Sequence, residues 1–262
     1  MKSIKTPVGN IEIIYEDPDL MVIDKPAGLV VHEGDTTTEP TLADYLLADY
    51  PELKGVGEDE RRPGIVHRLD REASGLMVVA KNNDAFQYLK KQFQKRTVKK
   101  EYCALAYGRI AKDEGEISFP IVRSRAGFKM AALPMNAGQE EKEKKNKISN
   151  RERGNVKAFE KSRTALTDFE VEKRWTHLSL LRVHIKTGRT HQIRVHFAAY
   201  GFPLVGDDLY GTSKTKVKNK KLNLNRIFLH AQKLSFKDLQ GEKKEFQSPL
   251  PPPLQAYLDK LK

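Results

Sequence analysis

Asp70 closes the run His67-Arg68-Leu69-Asp70, where a short apolar stretch, Ile65-Val66, hands over to a polar turn. The end of a strand is where catalytic side chains are commonly carried. Taken alone, though, an Asp there reads as readily as a turn cap, with Arg68 in a surface pair. A second candidate run is Lys100-Glu101-Tyr102. A third is Thr187-Gly188-Arg189-Thr190-His191-Gln192-Ile193-Arg194-Val195-His196, a strand exit, a Thr-Gly turn and a helix start. Thr190 is the expected N-cap there, and Thr190 and Arg194, four apart, share a helical face. Arg189, His191 and His196 surround the same end, which suits an anion. The bland alternative is a solvated helix with incidental histidines. A metal reading of His191 and His196 is weak, because a spacing of five splays them apart and no third ligand is in sight.

The elements that must position these residues follow from periodicity. Ile11–Tyr15 and Leu20–Asp24 alternate as strands about a Pro18 turn, Lys25-Pro26-Ala27-Gly28 turns again, and Leu29–Val31 resumes an extended run. Thr41 caps a short helix with Leu42, Tyr45 and Leu46 on one side. Residues 52–63 read as a loop, Gly75–Ala80 as a buried strand. Asn83 is the expected cap of a helix whose Phe86, Leu89 and Phe93 share a face. Glu101–Tyr107 and His177–Ile185 read as strands, Ile193, Phe197 and Tyr200 as a helix face, and the tail after Pro253 as a closing helix. Strands dominate and helices interrupt them, so the expected fold is α+β with a mixed sheet.

Charge narrows the partners. The chain has 262 residues and a formal net charge of +12. Residues 33–60 hold nine acids and one base, whereas 85–100 and 210–237 hold six and eight bases and no acid. One such run is ordinarily a solvated face. Two, opposite an acidic segment, are the footprint of contact with a phosphate backbone. No apolar run approaches the length of a membrane span or a signal peptide, and the lone Cys103 excludes an internal disulfide. A cytoplasmic monomer is expected, without cofactor or metal and without a membrane partner.

VHRLDREASGLMVVAK, KKEYCALAYG, TGRTHQIRVHFAAYGFPLVGDDLYG and the early DPDLMVIDKPAGLVVH resemble the signature segments of RluA-type pseudouridine synthases, in family order, over about residues 11–237. The resemblance implies a mixed, mostly antiparallel central sheet in two halves about a catalytic cleft, within a single catalytic domain over 1–262. It implies isomerisation of chosen uridines in structured RNA, ribosomal or transfer, to pseudouridine. It makes Asp70 the nucleophile and Tyr102 the ring stacked on uracil, with a part in late proton transfer. Arg194 becomes the partner of Asp70. Arg68 lies beside the flipped nucleotide, and His67, Arg189, His191 and Gln192 support substrate binding. Many relatives carry a small N-terminal RNA-binding module; because the family-like segment starts near residue 11, none is expected here. Residues 138–155 and 214–223 are expected to be mobile insertions, and the purely basic 214–223 is expected to touch RNA. The competing reading is a non-catalytic RNA-binding protein that keeps the fold; a metal-dependent hydrolase rests on residue types alone.

Overall fold

A computed structural model describes residues 2–34, 37–124, 129–133, 161–222 and 224–261. The chain divides into two compact units, Met1–Ala104 with Leu224–Lys262, and Leu105–Asn223.

The first unit holds β1 (Ser3–Ile4), β2 (Ile11–Glu16), β3 (Leu20–Lys25), α1 (Leu42–Asp49), β4 (Ser74–Ala80), α2 (Asn83–Lys95), most of β5 (Lys99–Tyr107), β11 (Leu229–Lys237), β12 (Lys243–Gln247) and α5 (Pro252–Asp259). Its strands run in the order β1-β2-β3-β4-β11-β5, with β12 also on β11. Only β4 with β11 is parallel among the described pairings here. All seven residues of β4 are buried, as expected of a strand with neighbours on both edges and packing on both faces. Leu20, Val22, Leu76, Val78, Leu234 and Phe236 from the sheet meet Ala85, Phe86 and Leu89 of α2 in one core. The apolar stripe predicted for α2 is therefore what the sheet covers.

The cap of α2 is Asn82 rather than Asn83: the Asn82 side chain accepts from Ala85 N–H, and Asn83 instead accepts from Gly57 N–H across the 52–63 loop. Adjacent asparagines are equivalent to a local pattern; the loop contact decides between them. Thr41 does open α1, where Asp44 Oδ2 accepts from both the Thr41 N–H and its hydroxyl. Leu29–Val31 is not a ladder strand. The carbonyls of Val30 and Val31 accept instead from Leu42 and Ala43 N–H, satisfying the first turn of α1.

The second unit holds the end of β5, β6 (Glu114–Ile117), β7 (Ile121–Arg123), β8 (Met130–Ala132), β9 (Thr167–Arg174), β10 (Leu178–Ile185), α3 (Gln192–Ala199) and α4 (Ser213–Asn219). β10, β9 and β6 form an antiparallel run, and β7 and β8 pair separately. Thr190 is not a cap. His191 occupies that position with φ of 54°, and α3 begins at Gln192. Thr190 therefore lies outside the helix and shares no helical face with Arg194. Residues 138–155 lie outside the described residues. The other expected insertion opens as the helix α4.

Candidate active site

The residues singled out from the sequence fall into two groups, one in each unit.

In the first unit, one rung of the sheet sets the geometry. Lys25 on β3 faces Gly75 on β4, Gly75 faces Ala231 on β11, and Ala231 faces Tyr102 on β5. Gly75 is required for this: its φ is 121°, and a Cβ there would sit 2.3 Å from the Ala231 carbonyl oxygen. Asp70 lies in the loop just before β4, and its carbonyl accepts from Ala73 N–H. The next residue is clamped to the Lys25–Gly28 turn. Gly28 N–H donates to the Arg71 carbonyl at 2.7 Å, and Arg71 Nε donates back to the Gly28 carbonyl at 3.2 Å. Arg71 is further paired with Glu39 at 2.6 Å.

Lys25 is fully buried and donates to the carbonyls of Pro26, Leu29 and Arg71 at 2.8, 2.9 and 3.3 Å. Burial pulls its pKa down to about 7, while the Asp70 charge opposes that fall. Tyr102 is also buried, and its phenol is pushed well above its ordinary value by burial and then by the Asp70 charge. Asp70 is thus electrostatically coupled to both Lys25 and Tyr102, and Tyr102 is a neutral phenol at physiological pH. Beneath the loop, Ser74 Oγ contacts His230 Nδ1 at 2.9 Å and accepts from Arg226 Nη2 at 2.7 Å. Burial lowers Arg226 to about 10 and His230 to about 4.

His67 is a packing residue: its Nε2 accepts from Val78 N–H at 3.0 Å and its ring stacks on Phe93. Desolvation, then the Lys100 charge, holds its pKa near about 3. Arg68 is exposed, with Nη1 3.4 Å from His32 Nε2.

In the second unit, Arg194 is buried and held as a fork by buried Asp207, Nε to Oδ2 at 2.8 Å and Nη2 to Oδ1 at 3.0 Å. Its guanidinium lies over the Tyr210 ring. The Tyr210 hydroxyl also contacts His191 Nδ1 at 2.8 Å and accepts from Met130 N–H at 2.9 Å. Gln192 uses its whole amide: Oε1 accepts from Thr187 Oγ1 and Arg189 N–H, and Nε2 donates to the Leu166 carbonyl and Thr167 Oγ1. It rivets the Thr-Gly-Arg turn to β9. Arg189 Nε donates to the Thr164 carbonyl. His196, fully buried, is spent between Thr167 Oγ1 and the Phe119 carbonyl. Sequence reasoning passed over Lys25, Asp207 and Tyr210, all of which sit inside the quoted motifs; burial distinguishes Lys25 and Asp207, and the contacts with Arg194 and His191 distinguish Tyr210.

Residues 19–199 match the RNA pseudouridylate synthase family. The chain belongs to that family. Asp70, Tyr102 and Arg194 lie within the matched span, whereas α4 lies beyond it. Among relatives, an uncharacterized RNA pseudouridine synthase of Aquifex aeolicus is 42% identical over 216 residues, 82% of this chain and 60% of the relative. The ribosomal large subunit pseudouridine synthase D of Nitrosomonas europaea is 36% identical over 255 residues, 96% of this chain and 65% of the relative. The chain thus spans about two thirds of the length of these relatives. Among solved structures, human RNA pseudouridylate synthase domain containing 4 superposes with a TM-score of 0.71 at 26% identity, covering 94% of this chain and 91% of that one. The α+β fold with a mostly antiparallel sheet is the fold of this family.

Proposed function

We propose that the chain isomerises specific uridines of structured RNA to pseudouridine, with Asp70 as the nucleophile. The observation that supports this reading is the four-strand rung Lys25–Gly75–Ala231–Tyr102, whose buried Lys25 and Tyr102 both feel the charge of Asp70. The reaction breaks the bond between sugar C1′ and uracil N1 and forms one from C1′ to C5; C5 gives up its proton and N1 takes one, so no atoms are gained overall. A carboxylate that forms a covalent intermediate divides that change into two easier steps. Attack at sugar or at ring needs the same carboxylate.

Tyr102 gives a face on which a flipped uracil can stack. As a neutral phenol it relays a proton through its hydroxyl rather than waiting as a preformed phenolate. Within the second unit, Asp207 holds Arg194 in a buried fork and fixes the plane of its guanidinium. Arg68, exposed beside His32, is assigned to the flipped nucleotide's surroundings, and Arg189 to phosphate. His67 and Gln192 act through packing and turn geometry in this scheme, and His191 through Tyr210.

The name of the Nitrosomonas relative makes large-subunit ribosomal RNA the first target to test, with transfer RNA second. The test is pseudouridine mapping of total RNA from cells with and without the gene. The reading expects a small, defined set of sites to vanish and to return with the wild-type gene but not with Asp70→Asn. Identical maps would overturn it.

A further inference from the structure

We propose that α4 and the two lysines after it form a second RNA contact, one that grips phosphates and takes no part in the chemistry. This rests on the RNA-modifying reading above. The segment Ser213–Lys221 carries Lys214, Lys216, Lys218, Lys220 and Lys221, and no acid occurs from residue 209 to 237. Lys214, Lys218, Lys220 and Lys221 are exposed. Among the described residues none of the five lysines forms an ion pair; Lys218 Nζ lies over the Tyr107 ring at 5.6 Å. Of the acids just before the helix, Asp207 is held in the Arg194 fork, and Asp208 accepts from the Asn219 amide at the end of the helix.

Lys214/Lys218 and Lys216/Lys220 are like charges four apart, a spacing that destabilises an isolated helix. The helix is nevertheless pinned. Thr212 Oγ1 accepts from Thr215 N–H at 3.2 Å, and Asn219 Oδ1 accepts from Gly206 N–H at 3.0 Å and from Tyr107 Oη at 2.7 Å. A solvated loop needs no such anchors. Here the inner side is fixed and the outer side displays uncompensated cations, which a polyanion would complement. The other basic run, 85–100, is partly consumed: Lys90 pairs with Glu58, and Lys100 is half-buried near the Phe93 ring, where burial lowers its pKa to about 8. In the second run, Lys233 pairs with Glu101 and Arg226 is half-buried, so α4 is the part of it left facing out with exposed lysines. α4 lies outside residues 19–199, the span matched by the family.

The experiment compares two fourfold variants of the full chain. One changes Lys214, Lys218, Lys220 and Lys221 to Gln. The other changes Lys5, Lys54, Lys112 and Lys260, also exposed, to Gln. Both lower the net charge from +12 by four. Binding to an unmodified RNA hairpin transcript is measured against salt. Each phosphate contact contributes about 0.9 to the slope of log K against log salt. The α4 variant is expected to lose roughly 2–4 units of slope and about 100-fold or more in affinity near 0.1 M salt. The control variant should lose under about one unit, and both should keep the wild-type melting temperature. On an unmodified RNA that the enzyme turns over, the α4 variant should raise KM and leave kcat unchanged. An unaltered slope in the α4 variant, or an equal loss in the control, overturns the proposal. Binding is read without turnover, so a wild-type protein that binds through α4 yet makes no pseudouridine would refute the catalytic reading alone.

Discussion

Replacing Arg194 by alanine should destabilise the protein by about 3–5 kcal/mol, the range for stripping one partner from a buried ion pair. The structure argues for the full range. Arg194 and Asp207 are 2% and 0% exposed, and two hydrogen bonds join them. In the variant, Asp207 would keep only the N–H groups of Leu209 and Tyr210 on Oδ1, and Oδ2 would lose its guanidinium donor. Arg194→Lys retains a charge but one point of contact instead of a fork, so its loss should be smaller without vanishing. Asp207→Ala should match Arg194→Ala, and the double variant should lose less than the two together, a coupling read from urea unfolding as a double-mutant cycle. Arg194→Ala within 1 kcal/mol of wild type would refute the reasoning. Any activity assigned to Arg194 must accordingly be measured on protein shown to be folded, and Arg189→Ala is the companion that separates chemistry from phosphate binding.

Three further outcomes follow from the first unit. Gly75→Ala forces a side chain into a positive φ, about 1–3 kcal/mol by itself, and onto the Ala231 backbone, so both melting temperature and turnover should fall; a wild-type melt would mean the rung tolerates a Cβ. Tyr102→Phe keeps the ring and loses the hydroxyl, so RNA binding should stay within a few fold while single-turnover product formation slows; a normal rate would leave Tyr102 a platform only. Burial lowers the pKa of His230 to about 4 and that of His67 to about 3. A depressed histidine is neutral in the fold and binds its proton in the unfolded chain, so stability is lost as pH falls from about 6.5 toward 4, by roughly 3 kcal/mol for His230 alone. Urea midpoints should show this fall, and His230→Gln should flatten it; a level wild-type profile would contradict it.

What was legible in the sequence was what local pattern encodes. The alternation of β10, the apolar stripe of α2 and the unbroken apolar run of β4 all led to their observed elements. Asp70 and Tyr102 were found as candidates, but nothing local shows that Gly75 and Ala231, 156 positions apart, are neighbours on one rung with Tyr102. Lys25 reads as a surface lysine ahead of a Pro-Gly turn, and only its three carbonyl acceptors reveal why it can be buried. His191 illustrates the limit on boundaries. A Thr before an apolar run is the usual cap, but the Gln192 amide gathers Thr187 and Arg189 so tightly that the turn runs one residue further, through a left-handed histidine.

The central claim is that the Asp70 carboxylate, and not merely the basic surface, does the work. Its most direct test is a single-turnover assay of pseudouridine formation on unmodified large-subunit ribosomal RNA and transfer RNA transcripts, with wild-type protein and Asp70→Asn in parallel and RNA affinity measured for both. The account predicts product from the wild type, none from the variant, and affinities within a few fold of each other. Product from Asp70→Asn at the wild-type rate would contradict it.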